Sequence, residues 1–521
     1  VTIGSTGMEL FLSNEAKLFV FAVELSDPVS TTTHEIVSSP PANSGDFISG
    51  TKTLVPLAMM RQGEPWRSKF SINTFTFRWL DTDGEATTAI GVGIVGWTCK
   101  FYVTGWDMSW STAKIQLFTG KVSDVDLEEG NYKITVRSAI ADALSTRLFD
   151  AASTELSHAI NATQASCIVK NANAMQSTGV FAIGTERVTY TGKIDNGDTT
   201  WTLNGLGRGA GTSTAATHAA DAAVQEIFIL TSGGAPGTKD NALDILTDVL
   251  TNTGAKNGFN LDSAWLDTTG IAAVKSTLGT ADHFSFEGTT GRNGKEWLEE
   301  EIFAMLASYP VENNLGQIRP KLFDTPTAAD FVETFTDADV LARPVFEGNF
   351  EHRVNDLILD LDQDVVNYDG SFANQQTLND ASLITLAGGK RHTMHLESTG
   401  MRGATLAATK TFIDGRLQAT LDRFGNRVPV LTFNTKMSKL LLEIGDPVLC
   451  TFTNVLNIAM ASSATRAITN GPFEIIGIRV DFQRMNINYK VLGYPGTFVG
   501  VHSAFVPGES HTSTGLKQSV A

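Results

Sequence analysis

The most suggestive spacing in the chain is the run Asp360-Leu361-Asp362-Gln363-Asp364. Carboxylates at alternate positions can open a calcium loop, whose cation takes about six to eight oxygen ligands. Such a loop needs Gly at its sixth position and Glu at its twelfth, and this chain has Val365 and Ser371 there. Strand alternation accounts for the run better. Leu357, Leu359 and Leu361 then face a core, while Asp360, Asp362 and Asp364 face away. That leaves two roles for the acidic row: a solvated strand face, or a wall lining a channel.

Other candidates give weaker chemistry. The loop Gly207-Arg208-Gly209-Ala210-Gly211 lacks the GxGxxG spacing of a dinucleotide site, and no clear βα unit precedes it. It reads as a turn. Gly291-Arg292-Asn293-Gly294-Lys295 hints at a P-loop, but Glu296 stands where Ser or Thr must bind magnesium, and Thr289 replaces the first Gly. Asn293 reads instead as a helix N-cap. On a strand, His392 and His395 point to opposite faces, which disfavours a shared metal. There is no G-x-S-x-G, no H-E-x-x-H and no Cys/His pair in a recognisable context. A glycosidase needs two carboxylates, and among 56 acids some pair can always be found, so that signal carries no weight. Trp79, Trp97, Trp106 and Trp110 crowd one segment; they could stack on sugars, but strand cores bury Trp more often. Cys99, Cys167 and Cys450 are too scattered for a zinc site or a disulfide framework and read as buried thiols made in a reducing cytosol. No cofactor or metal is expected.

The elements that position these residues are mainly strands. Phe75, Phe77 and Trp79 alternate with Thr74, Thr76 and Arg78, and Asp81-Thr82-Asp83-Gly84 supplies a turn. Trp97 to Val103, Lys114 to Phe118 and Tyr132 to Val136 continue the β pattern. Ile140, Leu144 and Leu148 predict a helix. Ser26 to Met60, with Pro28, Pro40-Pro41 and Pro56, reads as a long loop or arm. Residues 151–230, rich in Ala, Thr, Gly and Asn, read as a small inserted β module: strands around a turn from Gly179 to Gly192, a glycine-rich loop from Gly205 to Thr214, and a last strand from Val224 to Leu230. In 231–335, Leu243, Leu246, Val249 and Leu250 predict a helix stopped by Gly254. Trp297, Leu298, Ile302, Phe303 and Leu306 predict another, ended by Pro310. Residues 336–500 return to β around one helix, marked by Phe412, Ile413, Leu417 and Leu421 with Gly425 after it. Ile476, Ile478, Val480 and Phe482, then Met485, Ile487, Tyr489 and Val491, form a closing hairpin. Residues 501–521 read as a flexible tail.

Length and charge bound the function. A chain of 521 residues fits about three to five domains. The balance of 39 basic and 56 acidic residues gives −17, which disfavours a duplex-DNA grip and adhesion to anionic membranes. A hydrophobic share of 42% is enough for ordinary cores. The apolar stretch Phe19 to Val23 is too short for a signal peptide or a span, so the expected product is soluble, with no membrane anchor.

Two passages resemble a known family. Ile183-Gly-Thr-Glu-Arg-Val-Thr-Tyr-Thr-Gly192, Leu203-Asn-Gly-Leu-Gly-Arg-Gly-Ala-Gly-Thr212 and Ala215-Ala-Thr-His218 look like a β module recurring in tailed-phage structural proteins. The succession from Asn355-Asp356-Leu357 through Asp380-Ala-Ser-Leu-Ile384, the helix near Arg416 to Arg423 and Leu442-Glu-Ile-Gly-Asp-Pro-Val448 to Gly493-Tyr494 is similar to baseplate hub, or tail tip, proteins of long-tailed phages and gene transfer agents. Leu117-Phe-Thr-Gly-Lys-Val122 with the helix after it fits the family's first part. The match covers most of residues 60–495 as an order of elements.

The resemblance implies a fold class that is mainly β with α/β parts. Its units are a tube-like β-barrel domain at 1–150, the inserted module at 151–230, a helix-containing α/β domain at 231–335 and a second tube-like barrel at 336–500. It also implies a homotrimer whose pseudo-six-fold ring continues the tail tube. Its partners would be a distal tail or tail tube protein, a tape-measure protein and a central fibre or tip protein, with DNA passing through, in a virion assembled in the host cytoplasm. Some relatives hold an iron–sulfur cluster through four cysteines; with three, this chain is not expected to. A negative lumen would repel phosphates, so the implied place for Asp360, Asp362 and Asp364 is that lining. The alternatives are a receptor- or carbohydrate-binding tip protein, or a tail-associated cell-wall hydrolase.

Overall fold

The computed structural model describes residues 19–29, 33–38, 54–81, 84–91, 93–105, 113–128, 130–211, 213–230, 240–254, 258–279, 286–289, 291–347, 353–363, 372–398, 407–425, 428–453, 467–494, 511–513 and 516–518. The fold is mainly β. Seven strands open the chain: β1 (Phe19–Ser26), β2 (Thr33–Val37), β3 (Leu54–Gln62), β4 (Thr74–Trp79), β5 (Thr98–Gly105), β6 (Ile115–Glu128) and β7 (Asn131–Arg137). In β4 the expected alternation holds: Phe75, Phe77 and Trp79 are buried and their neighbours are not.

The stretch from Ser26 to Met60 departs from the expected loop. Its described parts include β2 and most of β3, with Pro56 inside β3. A register shift between Pro56 and Ala58 accommodates the proline, which has no N–H to give to a ladder. The turn at Gly84 leads into an unexpected short helix, α1 (Glu85–Gly91). The helix expected over 140–148 is a single turn, α2 (Ile140–Ala143). The carbonyls of Leu144 and Thr146 accept from the N–H groups of Lys295 and Gly294, and Arg147–Leu148 (β8) pairs with a later strand. Ile140, Leu144 and Leu148 still reach one core by that route.

The inserted segment carries β9 (Ser153–Glu155), β10 (Ser166–Lys170), β11 (Gly179–Ile183), β12 (Glu186–Tyr190), β13 (Gly192–Asp195), β14 (Thr200–Asn204) and β15 (Ala223–Ile229). It has a hydrophobic cluster of its own, built on Leu156, Val169, Phe181, Val188, Trp201 and Leu203. Arg187 pins it to the next region by hydrogen bonds to Glu287 of 2.9–3.2 Å.

The helices follow. In α3 (Ala242–Thr251) the predicted stripe is buried, but the helix stops at Asn252 rather than at a left-handed Gly254; the Asn252 side chain takes the Gly254 N–H. Next comes α4 (Thr268–Leu278), capped by Asp267 and not anticipated, because Ile271 is its one buried residue. Two short strands, β16 (Glu287–Gly288) and β17 (Arg292–Asn293), precede α5 (Gly294–Trp297). The Asn293 side chain caps α5 as predicted. The chain continues as a π-helix over Leu298–Ala304 that buries Leu298, Ile302 and Phe303. Pro310 lies beyond its end, inside the hairpin β18 (Ser308–Glu312) and β19 (Ile318–Leu322).

The last region holds β20 (Glu333–Thr336), β21 (Val345–Glu347), β22 (Asp356–Gln363), β23 (Phe372–Asn379), α6 (Ala381–Leu386), β24 (Thr393–Glu397), α7 (Ala407–Phe424), β25 (Val430–Lys436), β26 (Pro447–Phe452), β27 (Ile468–Asp481) and β28 (Asn486–Gly493). Helix α7 buries Ile413, Leu417 and Leu421 as the stripe predicts. A fully buried group fixes it to the sheet. Arg423 bonds Glu474 at 3.1 Å and the Gly493 carbonyl at 2.6 Å, and Tyr309 and Tyr494 donate to the same carboxylate.

The two strand-rich regions expected as separate tube-like units share one sheet, in the order β2-β1-β5-β6-β7-β4-β3-β27-β28-β25-β21. The seam is β3 against β27, antiparallel, with Gly477 to Asp481 opposite Gln62 to Ala58. Past the end of β27, Phe482 enters the N-terminal core. Its ring lies edge-on to Phe21 and Phe101, with centroids at 5.1 and 5.2 Å. Phe101 stacks on Phe75 at 4.0 Å. Phe482→Ala should therefore cost about 3–5 kcal/mol, the range for emptying a buried aromatic site. Urea denaturation of the full chain checks this, with the midpoint expected to fall.

Candidate functional site

The large sheet turns one face away from the main core. Where alternate residues of a strand enter the core, the others line this face. One row crosses ten strands. It runs Asn434, Asn488, Arg479, Met60, Thr74, Arg137, Lys121, Thr98, Ser26 and Thr33, each opposite the next. None of the ten is buried. At about 4.8 Å per strand the row spans roughly 40 Å. It holds three cations, six small polar residues, one methionine and no carboxylate. Other rows carry acids: Asp481, two residues from Arg479 and opposite Ala58 and Asn486, Glu24 beside Lys100 at 3.4 Å, and Glu128 bonded to Arg78 and Lys133. Sequence reading gave the outward positions of β4, but the register that aligns ten strands is not written in any one of them.

The acidic row lies elsewhere, on the three-stranded sheet β23-β22-β24. Leu357, Leu359 and Leu361 are buried, as alternation required. Asp360 is half-buried, and both its oxygens are engaged, by His395 at 2.7 Å and Gln375 at 2.7 Å. Asp362 is a strand residue whose side chain is outside the described set, and Asp364 lies outside the described residues. Parallel pairing of β22 with β24 also brings Glu397 opposite Asp360. Donor atoms of Asp360, His395 and Glu397 fall within 4.8 Å of one another. His395 and Glu397 are exposed, and the ion pair itself explains the closeness of His395. His392 sits before β24 and gives its N–H to the Asn355 side chain, so the two histidines do not meet. The pairing of Asp360 with His395 was hidden because the chain between them forms another strand and a helix.

The glycine-rich loop is folded around an internal anion. Glu186 is buried and takes two bonds from Arg208, at 2.7 and 2.8 Å. The N–H groups of Gly209 and Ala216 add 3.0 Å bonds, and His218 lies at 2.7 Å. Gly209 has φ +61°, and a Cβ there would come within 2.9 Å of the Ala215 nitrogen. The donors that could have cradled a phosphate are thus occupied by a side chain of the same module. Burial pushes the Glu186 carboxyl up, but Arg208, the two amides and His218 outweigh it and hold the group at about 2.

A second buried carboxylate joins the hairpin β18–β19 to the large sheet. Glu312 accepts from Ser138 at 2.5 Å and Asn73 at 2.7 Å. Arg61 donates to its backbone carbonyl at 3.1 Å and to the Asn314 side chain. Burial pushes the Glu312 carboxyl up to about 7, with Ser138, Arg61 and Asn73 pulling the other way.

Trp79 and Trp97 are core residues rather than exposed stacking platforms; Trp106 and Trp110 lie outside the described residues. Cys99, Cys167 and Cys450 are buried and unbridged, and burial raises the Cys167 thiol to about 12. No described helix is long and apolar enough to cross a membrane.

Among solved structures, the chain is similar to the 43 kDa tail protein of prophage MuSo2 from Shewanella oneidensis. Identity is 9%, over 92% of this chain and 99% of that one, with a TM-score of 0.41. It is also similar to prophage tail protein gp18 from Listeria monocytogenes EGD-e, at 10% identity over 93% and 99% of the two chains, TM-score 0.39. A chain in the virion of a native gene transfer agent particle is similar at 10% identity over 49% of this chain and 91% of that one, TM-score 0.22. The structures it resembles are thus phage tail proteins and part of a gene transfer agent particle. No family model and no curated protein matches the sequence.

The two buried carboxylates have opposite linkage. Glu186 is held below its unfolded pKa, so its contribution, about 3 kcal/mol, is present above roughly pH 4.5 and lost as pH falls toward 2. Glu186→Gln should lower the melting temperature at neutral pH and flatten that acid limb. Glu312 is held above its unfolded pKa, so the native state binds the extra proton and stability falls as pH rises from about 4.5 to about 7. Glu312→Gln should abolish that decline, and melting curves across pH 4 to 8 test it.

Proposed function

We propose that this chain is a structural hub of a phage tail tip. In this reading three copies close into a ring that continues the tail tube, and the open face of the large sheet forms the wall of the passage. The observation that carries it is the β3–β27 seam. It makes one continuous wall from strands at opposite ends of the chain, with a packed core on one side and the unburied ten-residue row on the other.

The edges support the same reading. Among the described residues the sheet ends at β2 on one side and β21 on the other. Two unlike edges cannot pair through a two-fold axis. They can meet head to tail, and a head-to-tail contact closes a ring when its rotation allows. The helices α3 and α4 and the module with Glu186 are not part of the wall and would project from the ring. A distal tail or tail tube protein would stack on one rim and a central fibre or tip protein on the other, with tape-measure protein and DNA passing through. The role rests on a surface rather than on a reacting group. The acidic row from Asp360 belongs to the separate three-stranded sheet and is not needed for the wall.

Electron cryomicroscopy of the particle containing this chain, located by a bound antibody fragment, tests the proposal. A three-fold ring at the tail end with an axial channel is the expected image. Label on peripheral projections that share no channel would reject it and favour a receptor-binding or wall-degrading role.

A further inference from the structure

We infer that Asp360, His395 and Glu397 form a binding site for one divalent transition ion of the zinc type, which clamps the edge strand β24 to β22. The site does not depend on the proposed ring.

The three-stranded sheet builds it. In β22, alternation sends Leu357, Leu359 and Leu361 into the core and leaves Asp360 on the opposite face. His395 and Glu397 are two apart on β24, so they share one face of that strand. Parallel pairing places Glu397 directly opposite Asp360, and His395 opposite Ile358, two residues earlier. Donor atoms of the three lie within 4.8 Å of one another, and His395 Nε2 is 2.7 Å from Asp360 Oδ2. Ligands at about 2.0 Å around a tetrahedral zinc sit roughly 3.3 Å apart, so small side-chain rotations bring these donors to bonding distance. The Asp360 side chain is 14% exposed and that of His395 is 48% exposed. A held carboxylate thus forms the base of the site, and solvent reaches the side where an ion enters and a water completes its shell.

Two details favour a bound cation over a bare ion pair. A charged His395 accounts for its own contact with Asp360, but the Glu397 carboxylate beside them has no hydrogen-bond or ion-pair partner among the described residues. Like charges directly opposite in a sheet are destabilising. Arg391, just before β24, does not relieve this, because it bonds Asp356 at 3.2 Å. A divalent ion with a neutral His395 balances both carboxylates. The second detail is Gln375 of β23, which donates to Asp360 Oδ1 at 2.7 Å. That bond orients the carboxylate and leaves Oδ2 for the ion, the outer-shell support that metal-ligating carboxylates use. The imidazole sets the class of ion. Calcium and magnesium take oxygen ligands, whereas one nitrogen with two carboxylates suits zinc. The chain between β22 and β24 forms β23 and α6, and β24 ends the sheet, so an ion held by both strands would fasten that edge.

The test uses the full purified chain, stripped with chelator and titrated with zinc chloride by calorimetry, together with melting curves in the presence and absence of zinc. One saturable equivalent is expected, undisturbed by millimolar calcium, with a higher melting temperature in zinc. His395→Asn keeps a hydrogen-bonding group beside Asp360 but loses the imidazole. It and Glu397→Gln should each remove that equivalent and the melting shift. Gln375→Ala, which loses only the orienting bond, should weaken zinc binding about tenfold. His158→Ala, at an exposed histidine of the inserted module, should bind like the native chain. Melting curves without metal confirm that each variant is folded. A native chain without saturable zinc binding overturns the inference, as does native-like binding by His395→Asn or Glu397→Gln. Displacement of zinc by calcium would assign the acids to a site of oxygen ligands alone and overturn it as well.

Discussion

The fold depends on one seam, the antiparallel pairing of Ala58–Gln62 with Gly477–Asp481. More than 400 residues of chain separate its two strands. Nothing local holds them together, so the closure entropy of that long loop must be met by what the seam brings into contact. It is met on the core face of the junction. Phe482 passes into the cluster of Phe21, Phe75 and Phe101, while Arg61, buried on β3, reaches the β18–β19 hairpin through Glu312 and Asn314. The seam thus sets the position of three regions at once: the N-terminal strands, the hairpin of the helical region, and the C-terminal strands. Beyond it, the buried Arg423–Glu474 group ties α7 to β27 and admits Tyr309 from the same hairpin. Breaking such a group on one side leaves an uncompensated buried charge, which makes it a strict specification of where the helix lies.

Local pattern was enough wherever one strand or helix face decides burial. The alternation in β4, the paired strands β27 and β28, the stripes of α3 and α7, and the Asn293 cap were all readable from spacing alone. Where a distant partner decides, local pattern failed. Pro56 argued for a loop, but a register shift lets β3 carry it between β4 and β27. Ile140, Leu144 and Leu148 have helical spacing, yet backbone bonds from Gly294 and Lys295 turn the chain after one helical turn. The same limit hid the candidate surface. Arg479 sits between Ile478 and Val480, and Lys121 between Gly120 and Val122, as ordinary outward residues. Only the register shows that they share a row.

Net charge was a poor guide to that surface for a related reason. Ten acidic residues are buried among the described positions, against three arginines. Glu186 is enclosed by Arg208, His218 and two amides; Glu474 by Arg423 and two tyrosines; Glu312 by Ser138 and Asn73. These carboxylates organise loops and junctions, and they contribute to the formal −17 without facing solvent. A chain can therefore be acidic in sum while a row across ten of its strands carries three cations and no carboxylate. The bulk charge still argues against tight capture of nucleic acid, since repulsion from the rest of the surface opposes it.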